Sequence, residues 1–170
     1  MSDEAMYRYA QIDGPYRYWL QRQWGEWTPW LTVVMLNPSL ADAEREDATL
    51  RRLISLTKRE GFGHLQVFNL FAYRTPYPKA LRSAQAEGVD IVGVGNPVLL
   101  RECALGTIGP VVVGWGANPI ARSAAAEFAG WADEQEKELL CVGTNDDGSP
   151  RHPLYMKSDA PLLPWPEGSS

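Results

Sequence analysis

Apolar and polar side chains alternate over residues 16–24 (YRYWLQRQW), the period of two expected for a strand with one buried face. A turn at Gly25-Glu26 separates it from residues 31–36 (LTVVML), whose apolar run predicts a strand covered on both sides. Asn37-Pro38-Ser39 stops that strand. From Asp47 to Glu60 the spacing becomes helical. Leu50, Leu53, Ile54 and Thr57 share one stripe, Asp47 serves as N-cap, and Gly61 lies just past the end. Residues 64–70 (HLQVFNL) predict another strand, after which Pro76, Pro78, Gly88, Gly93 and Gly95 break regular structure. Residues 99–105 read as a short helix entered after Asn96-Pro97, and 110–115 (PVVVGW) as an apolar strand. A helix opened by Asn118 and Pro119 follows over 118–133, then a last short strand over 139–142. The tail beyond Pro153, with Pro161, Pro164 and Pro166, is expected to wrap the surface.

Strands alternating with helices imply an α/β fold: one three-layer domain with a central, mainly parallel sheet flanked by helices. The whole of residues 1–170 is expected in this domain, with the core over about 16–157 and a Pro-rich tail over 158–170. Ligands of such sheets bind at the carboxyl ends of the strands. Four segments meet that description or follow a strand closely: Asn37-Pro38-Ser39, Asn69 with Phe71 and Tyr73, Trp115-Gly116, and Arg151-His152-Pro153. Each also has a structural use. Asn37 suits an Asx turn, Asn69 a buried amide that satisfies backbone groups, and His152 a solvated turn.

Charge changes the picture more than length does. Sixteen Lys and Arg against twenty-one Asp and Glu set a formal charge of −5, which excludes a surface coated in basic groups. Between residues 45 and 82, however, eight basic side chains meet three acidic ones, a local +5 that leaves −10 elsewhere. That polarity fits one DNA-facing side, with Arg51, Arg52, Arg74 and Arg151 near backbone phosphates, and fits a solvated helix face equally well. Two cysteines, Cys103 and Cys141, make neither a disulfide framework nor a four-ligand zinc site. His64 and His152 are the only histidines, so no metal and no cofactor is expected. No apolar run approaches a membrane span, and residues 1–10 lack the apolar stretch of a signal peptide. A cytoplasmic monomer without a membrane partner is the expectation.

The four segments, in this order, resemble the motifs of the uracil-DNA glycosylase superfamily, in the branch whose first motif carries Asn. Closer still is a smaller family of bacterial and phage-associated proteins with M-L-N-P-S, D-x-T-x-R-R, N-L-F-A-Y-R, W-G and H-P-L-Y. That resemblance covers about residues 16–165. It implies a glycosylase-like fold in which Asn37 orients water and Ser39 stands where strict uracil enzymes carry a tyrosine at C5 of the base. It also implies that Asn69 reads the pyrimidine edge, that VVVGWGAN supplies a pocket strand, and that His152 stabilises the departing base. Two departures stand out. No counterpart exists for the usual stacking aromatic after the first motif, and the last motif reads H-P-L-Y in place of H-P-S.

Cleaving an N-glycosidic bond needs donors toward the leaving base and a water directed at the anomeric carbon. Asn37 and His152 are the candidate catalytic residues, with Asp42 or Asp47 as an assisting carboxylate unless either merely caps a helix. Ser39, Asn69, Phe71, Tyr73 and Trp115 are the candidate base-binding residues. Ser39 leaves space for a C5 substituent, so the expected substrate is a modified pyrimidine flipped out of DNA, such as a glycosylated phage base, and otherwise uracil. Removing such bases suits anti-phage defence. Two alternatives remain: a pocket that binds a nucleotide or modified nucleic acid without chemistry, and a hydrolase of free nucleosides or nucleotides.

Overall fold

The computed structural model describes residues 7–25 and 29–166. The expected turn residue Glu26, the first six residues and the end of the tail lie outside these. Seven strands form one sheet in the order β1-β2-β4-β3-β5-β6-β7. They are β1 (Tyr7–Asp13), β2 (Tyr16–Gln23), β3 (Trp30–Met35), β4 (His64–Asn69), β5 (Val111–Val113), β6 (Leu139–Cys141) and β7 (Leu163–Trp165). The four central strands run parallel, and β1, β2 and β7 are antiparallel additions at the two edges. The sheet is therefore mixed, within an α/β fold of three layers.

The side-chain period of two divides the core. Leu31, Val33 and Met35 of β3 pack on one face with Leu50, Leu53 and Leu56 of α1 (Ala48–Arg59). Val34 and the paired strands present Phe68, Val111 and Val113 to the other face. That second face is covered by α2 (Pro78–Ala86), by α3 (Asn96–Leu99) with the wide turn Leu100–Ala104 that follows it, and by α4 (Arg122–Glu134). Asp47 caps α1 as expected, its Oδ1 accepting from Leu50 N–H at 2.7 Å. Gly61, with φ +81°, takes the left-handed position past its end. Asn118 accepts from Ile120 N–H at 3.1 Å and opens a 3-10 turn, Pro119–Ala121, that leads into α4.

Three elements lie where the sequence pattern does not place them. β1 is exposed along much of its length and is held by its ladder to β2, so it carries no burial signal. α2 starts at Pro78, where a missing N–H costs nothing, although Pro76 and Pro78 read as breakers. The tail is not a loose wrap: Leu163–Trp165 pairs antiparallel with β6, an edge position where Pro164 removes no needed donor. The helix expected over 99–105 begins earlier. Asn96 anchors its start by donating Nδ2 to the carbonyls of Asn69 (3.0 Å) and Leu70 (3.1 Å). No described helix is long and apolar enough to cross a membrane.

Candidate functional site

A cleft of about 770 Å³ opens at the carboxyl ends of β3, β4 and β5. α1 leaves β3 on one face of the sheet, and α4 follows β5 on the other. The crevice between these strand ends is thus the topological switch point, where α/β sheets hold ligands. Asn37, Ser39, Asp47, Asn69, Trp115, Arg151 and His152 all line it.

Asn37 is held from behind. Its Nδ2 donates to the carbonyls of Thr75 (3.0 Å), Pro38 (3.2 Å) and Tyr73 (3.4 Å). The amide nitrogen is thereby committed, and Oδ1 is the atom left to accept a hydrogen bond in the cleft. Asp47 is committed as well. Besides capping α1, it takes a hydrogen bond from the Ser39 hydroxyl on its second oxygen.

Asn69 ends β4, in register with Met35 of β3. It is 1% exposed, yet neither amide atom has a hydrogen-bond partner among the described residues. A buried carboxamide without partners loses about 1–3 kcal/mol per unsatisfied group, which marks it as a place where a ligand completes the bonding. Its terminal torsion is soft, so a small rotation presents either atom to the cleft.

His152 opens a 3-10 turn, Pro153–Tyr155, and its Nδ1 accepts from Leu154 N–H at 3.2 Å. An accepting Nδ1 places the proton of the neutral ring on Nε2, which becomes a donor. Burial holds the pKa of His152 below its usual value, with Asp47 pulling the other way, so the ring is neutral at neutral pH. Gly114 makes room for this turn, because a Cβ there would lie 2.7 Å from Pro153 Cδ. Gly114→Ala is expected to cost about 1–3 kcal/mol by overpacking. It should also move the His152 ring, which urea unfolding and the histidine NMR signals would report.

The remaining expected residues divide. Trp115 lines the cleft while packed edge-on against Trp165 at 5.1 Å and Phe128 at 6.1 Å. Phe71 and Tyr73 do not line it. Phe71 sits in the core of the opposite face, and Tyr73 packs there against Tyr16, contributing only its carbonyl to Asn37. Once β4 ends at Asn69, the chain turns and the strand period no longer predicts a face. Asp42 is also outside the lining. Its Oδ1 closes a turn by accepting from Arg45 (2.8 Å) and Glu44 (2.9 Å), and these bonds hold its pKa below the ordinary carboxylate value.

Among the basic candidates, only Arg151 lines the cleft, with Nη2 donating to Thr144 O at 3.2 Å. Arg74 clamps the Ser39 and Leu40 carbonyls, while Arg51 and Arg52 stand on α1 outside the cleft. The basic run does not form one face either, since α1 and α2 cover opposite sides of the sheet. Among the lining residues that the sequence pattern did not single out, one is charged. Arg17 of β2 is 5% exposed and belongs to the cleft wall. Among the described residues, no group of three or more His, Cys, Asp or Glu side chains is placed to hold a metal ion.

Comparison with curated proteins and with solved structures returned no match. A family model described as a protein of unknown function (DUF1643) matches residues 17–154, which is most of the chain, and the protein belongs to that family.

Proposed function

We propose that the cleft receives a modified pyrimidine extruded from DNA and hydrolyses its N-glycosidic bond. The observation that carries this reading is Asn69, a buried carboxamide in the cleft lining whose donor and acceptor have no partner among the described residues. A pyrimidine offers the complementary pair on its Watson–Crick edge, and flipping the base out of the duplex brings that edge to the amide. Water oriented by Oδ1 of Asn37 adds to the anomeric carbon as the bond to the base nitrogen breaks. The sugar keeps the hydroxyl and the base leaves with a proton. His152 donates from Nε2 to the base oxygen on which negative charge gathers, an interaction strengthened by the burial of the ring. Ser39, small and turned toward Asp47, leaves space beside C5 of the base. Such an activity would remove the hypermodified bases of phage DNA.

Duplexes carrying glucosylated hydroxymethylcytosine, hydroxymethylcytosine or uracil, assayed for alkali-labile abasic sites, test the reading. Strand scission at a modified pyrimidine is the expected result. Folded protein that leaves every base in place overturns the hydrolytic step.

A second reading, binding without chemistry, is favoured by one feature of the lining. Both oxygens of Asp47 are engaged, so neither is free to act as a general base. It predicts tight, product-free binding to the same duplexes.

A further inference from the structure

Strict alternation along YRYWL would send Arg17 to the same face as Trp19, which stacks on Phe68 in the core opposite α1. The ladder to β1 shows why it does not. Gln11 pairs with Trp19 and Ile12 with Arg17, so Tyr18 is an extra residue, a bulge, and the face of Arg17 is reversed. The arginine then joins Leu20 in the wall of the cleft.

Only 5% of Arg17 is exposed. Among the described residues, Nη1 donates to Ala41 O at 2.7 Å, Nε has no hydrogen-bond partner, Nη2 donates to no neighbour, and no carboxylate stands within ion-pair distance. Burial lowers its pKa to about 10, against the opposing pull of Asp47, so the group stays cationic at neutral pH. Arg22, buried on the same strand, is handled differently. Its two terminal nitrogens reach Gln21 O (2.9 Å) and Asp42 O (2.5 Å), and its Nε lies 3.6 Å from the Glu46 carboxylate. Nε of Arg22 also lacks a hydrogen bond, but it has a carboxylate within ion-pair distance, whereas among the described residues Asp47 acts on Arg17 only from beyond that distance. A loop clamp alone would need only the one bond to Ala41.

The unused donors of Arg17 matter by position. Nε and Nη2 form one edge of the guanidinium, the edge that meets two oxygens of a phosphate side by side. Arg151 adds a second permanent cation to the lining, and Asp47, the one lining carboxylate among the described residues, is already engaged.

We propose that Arg17 forms a phosphate-binding subsite of the cleft, so that the ligand carries a phosphate beside the base held at Asn69. The position of the base rests on the function proposed above, whereas the anion site rests on Arg17 itself. The phosphate belongs either to a free nucleotide or to the backbone of a nucleic acid.

Calorimetric titration with deoxycytidine, deoxycytidine 5′-monophosphate, inorganic phosphate and a short single-stranded oligonucleotide tests the subsite, with the Arg17 Nε–H signal followed by NMR. At least one phosphate-bearing probe should bind about tenfold or more tighter than deoxycytidine, as expected for charge-assisted bonds. That preference should vanish in folded Arg17→Gln and survive in part in Arg17→Lys. Tighter binding of the monophosphate than of the oligonucleotide assigns the subsite to free nucleotides, and the reverse order assigns it to backbone phosphate. If neither deoxycytidine nor its nucleotide binds but inorganic phosphate moves the Arg17 signal, the base reading falls and the subsite stands. Equal binding of nucleoside and nucleotide, or an undiminished preference in folded Arg17→Gln, overturns the subsite. Should the variants fail to fold, an unmoved Arg17 signal at saturating nucleotide overturns it equally.

Discussion

Asn69→Leu should yield a protein that is more stable than the parent and no longer binds its ligand. The two side chains have nearly the same shape, so the substitution keeps the packing of Met35 and Val67 on the α1 face. What changes is polarity. The parent buries a donor and an acceptor with no partner among the described residues, and leucine replaces both with apolar surface. Removing unsatisfied buried groups at constant shape is expected to gain about 1–3 kcal/mol, read as a higher urea midpoint with an unchanged slope. In the same variant, nucleoside or nucleotide binding should become undetectable by calorimetry. A loss of stability would show that the amide is satisfied within the native protein and would remove the main support for the proposed base-binding site. Sites that trade stability for binding are where such an exchange is expected.

In the proposed reaction, His152→Ala is expected to lower base release about 10²–10³-fold, the usual loss when one donor to a developing negative charge is removed. The variant should leave binding largely intact, because the interaction strengthens only as the base departs. A pH experiment on stability checks the state of the ring independently of any substrate. The native pKa lies below the ordinary value of about 6.5, so at mildly acid pH the unfolded chain binds a proton that the folded one resists. Stability should therefore fall as pH drops through the ordinary value, and level off below the native one. Protonation also forfeits the bond from Leu154 N–H to Nδ1, which opens the turn that carries the residue. Urea unfolding between pH 5 and 8 should show this slope in the parent and a smaller one in His152→Gln. An equal slope in both would assign the pH dependence elsewhere.

Much of the site was legible because strand ends are legible. The apolar runs LTVVML and PVVVGW have no polar face, so they had to be central strands. Asn37 and Asn69 then fell at neighbouring carboxyl ends, and pairing of Met35 with Asn69 sets them on one rim. Asp47, with a helical stripe behind it, was readable as a cap, and it is one. Phe71 and Tyr73 were misplaced for a reason the pattern cannot show. Periodicity holds only while the strand lasts, and the ladder of β4 ends at Asn69. β1 and β7 were missed because edge strands are stabilised by backbone hydrogen bonds to a neighbour and need little burial of their own.

By itself the sequence determined the α/β alternation, the central strands and the polar residues at their ends, since each follows from local period and turn chemistry. Only the tertiary structure decided what those residues confront. It left the amide of Asn69 without a partner among the described residues, committed both oxygens of Asp47, and fixed the proton of His152 on Nε2. It also turned Arg17 into the cleft through one extra residue at Tyr18. Partner choice and strand register depend on chain segments far apart in sequence. A single bulge reverses every face that a period of two assigns beyond it.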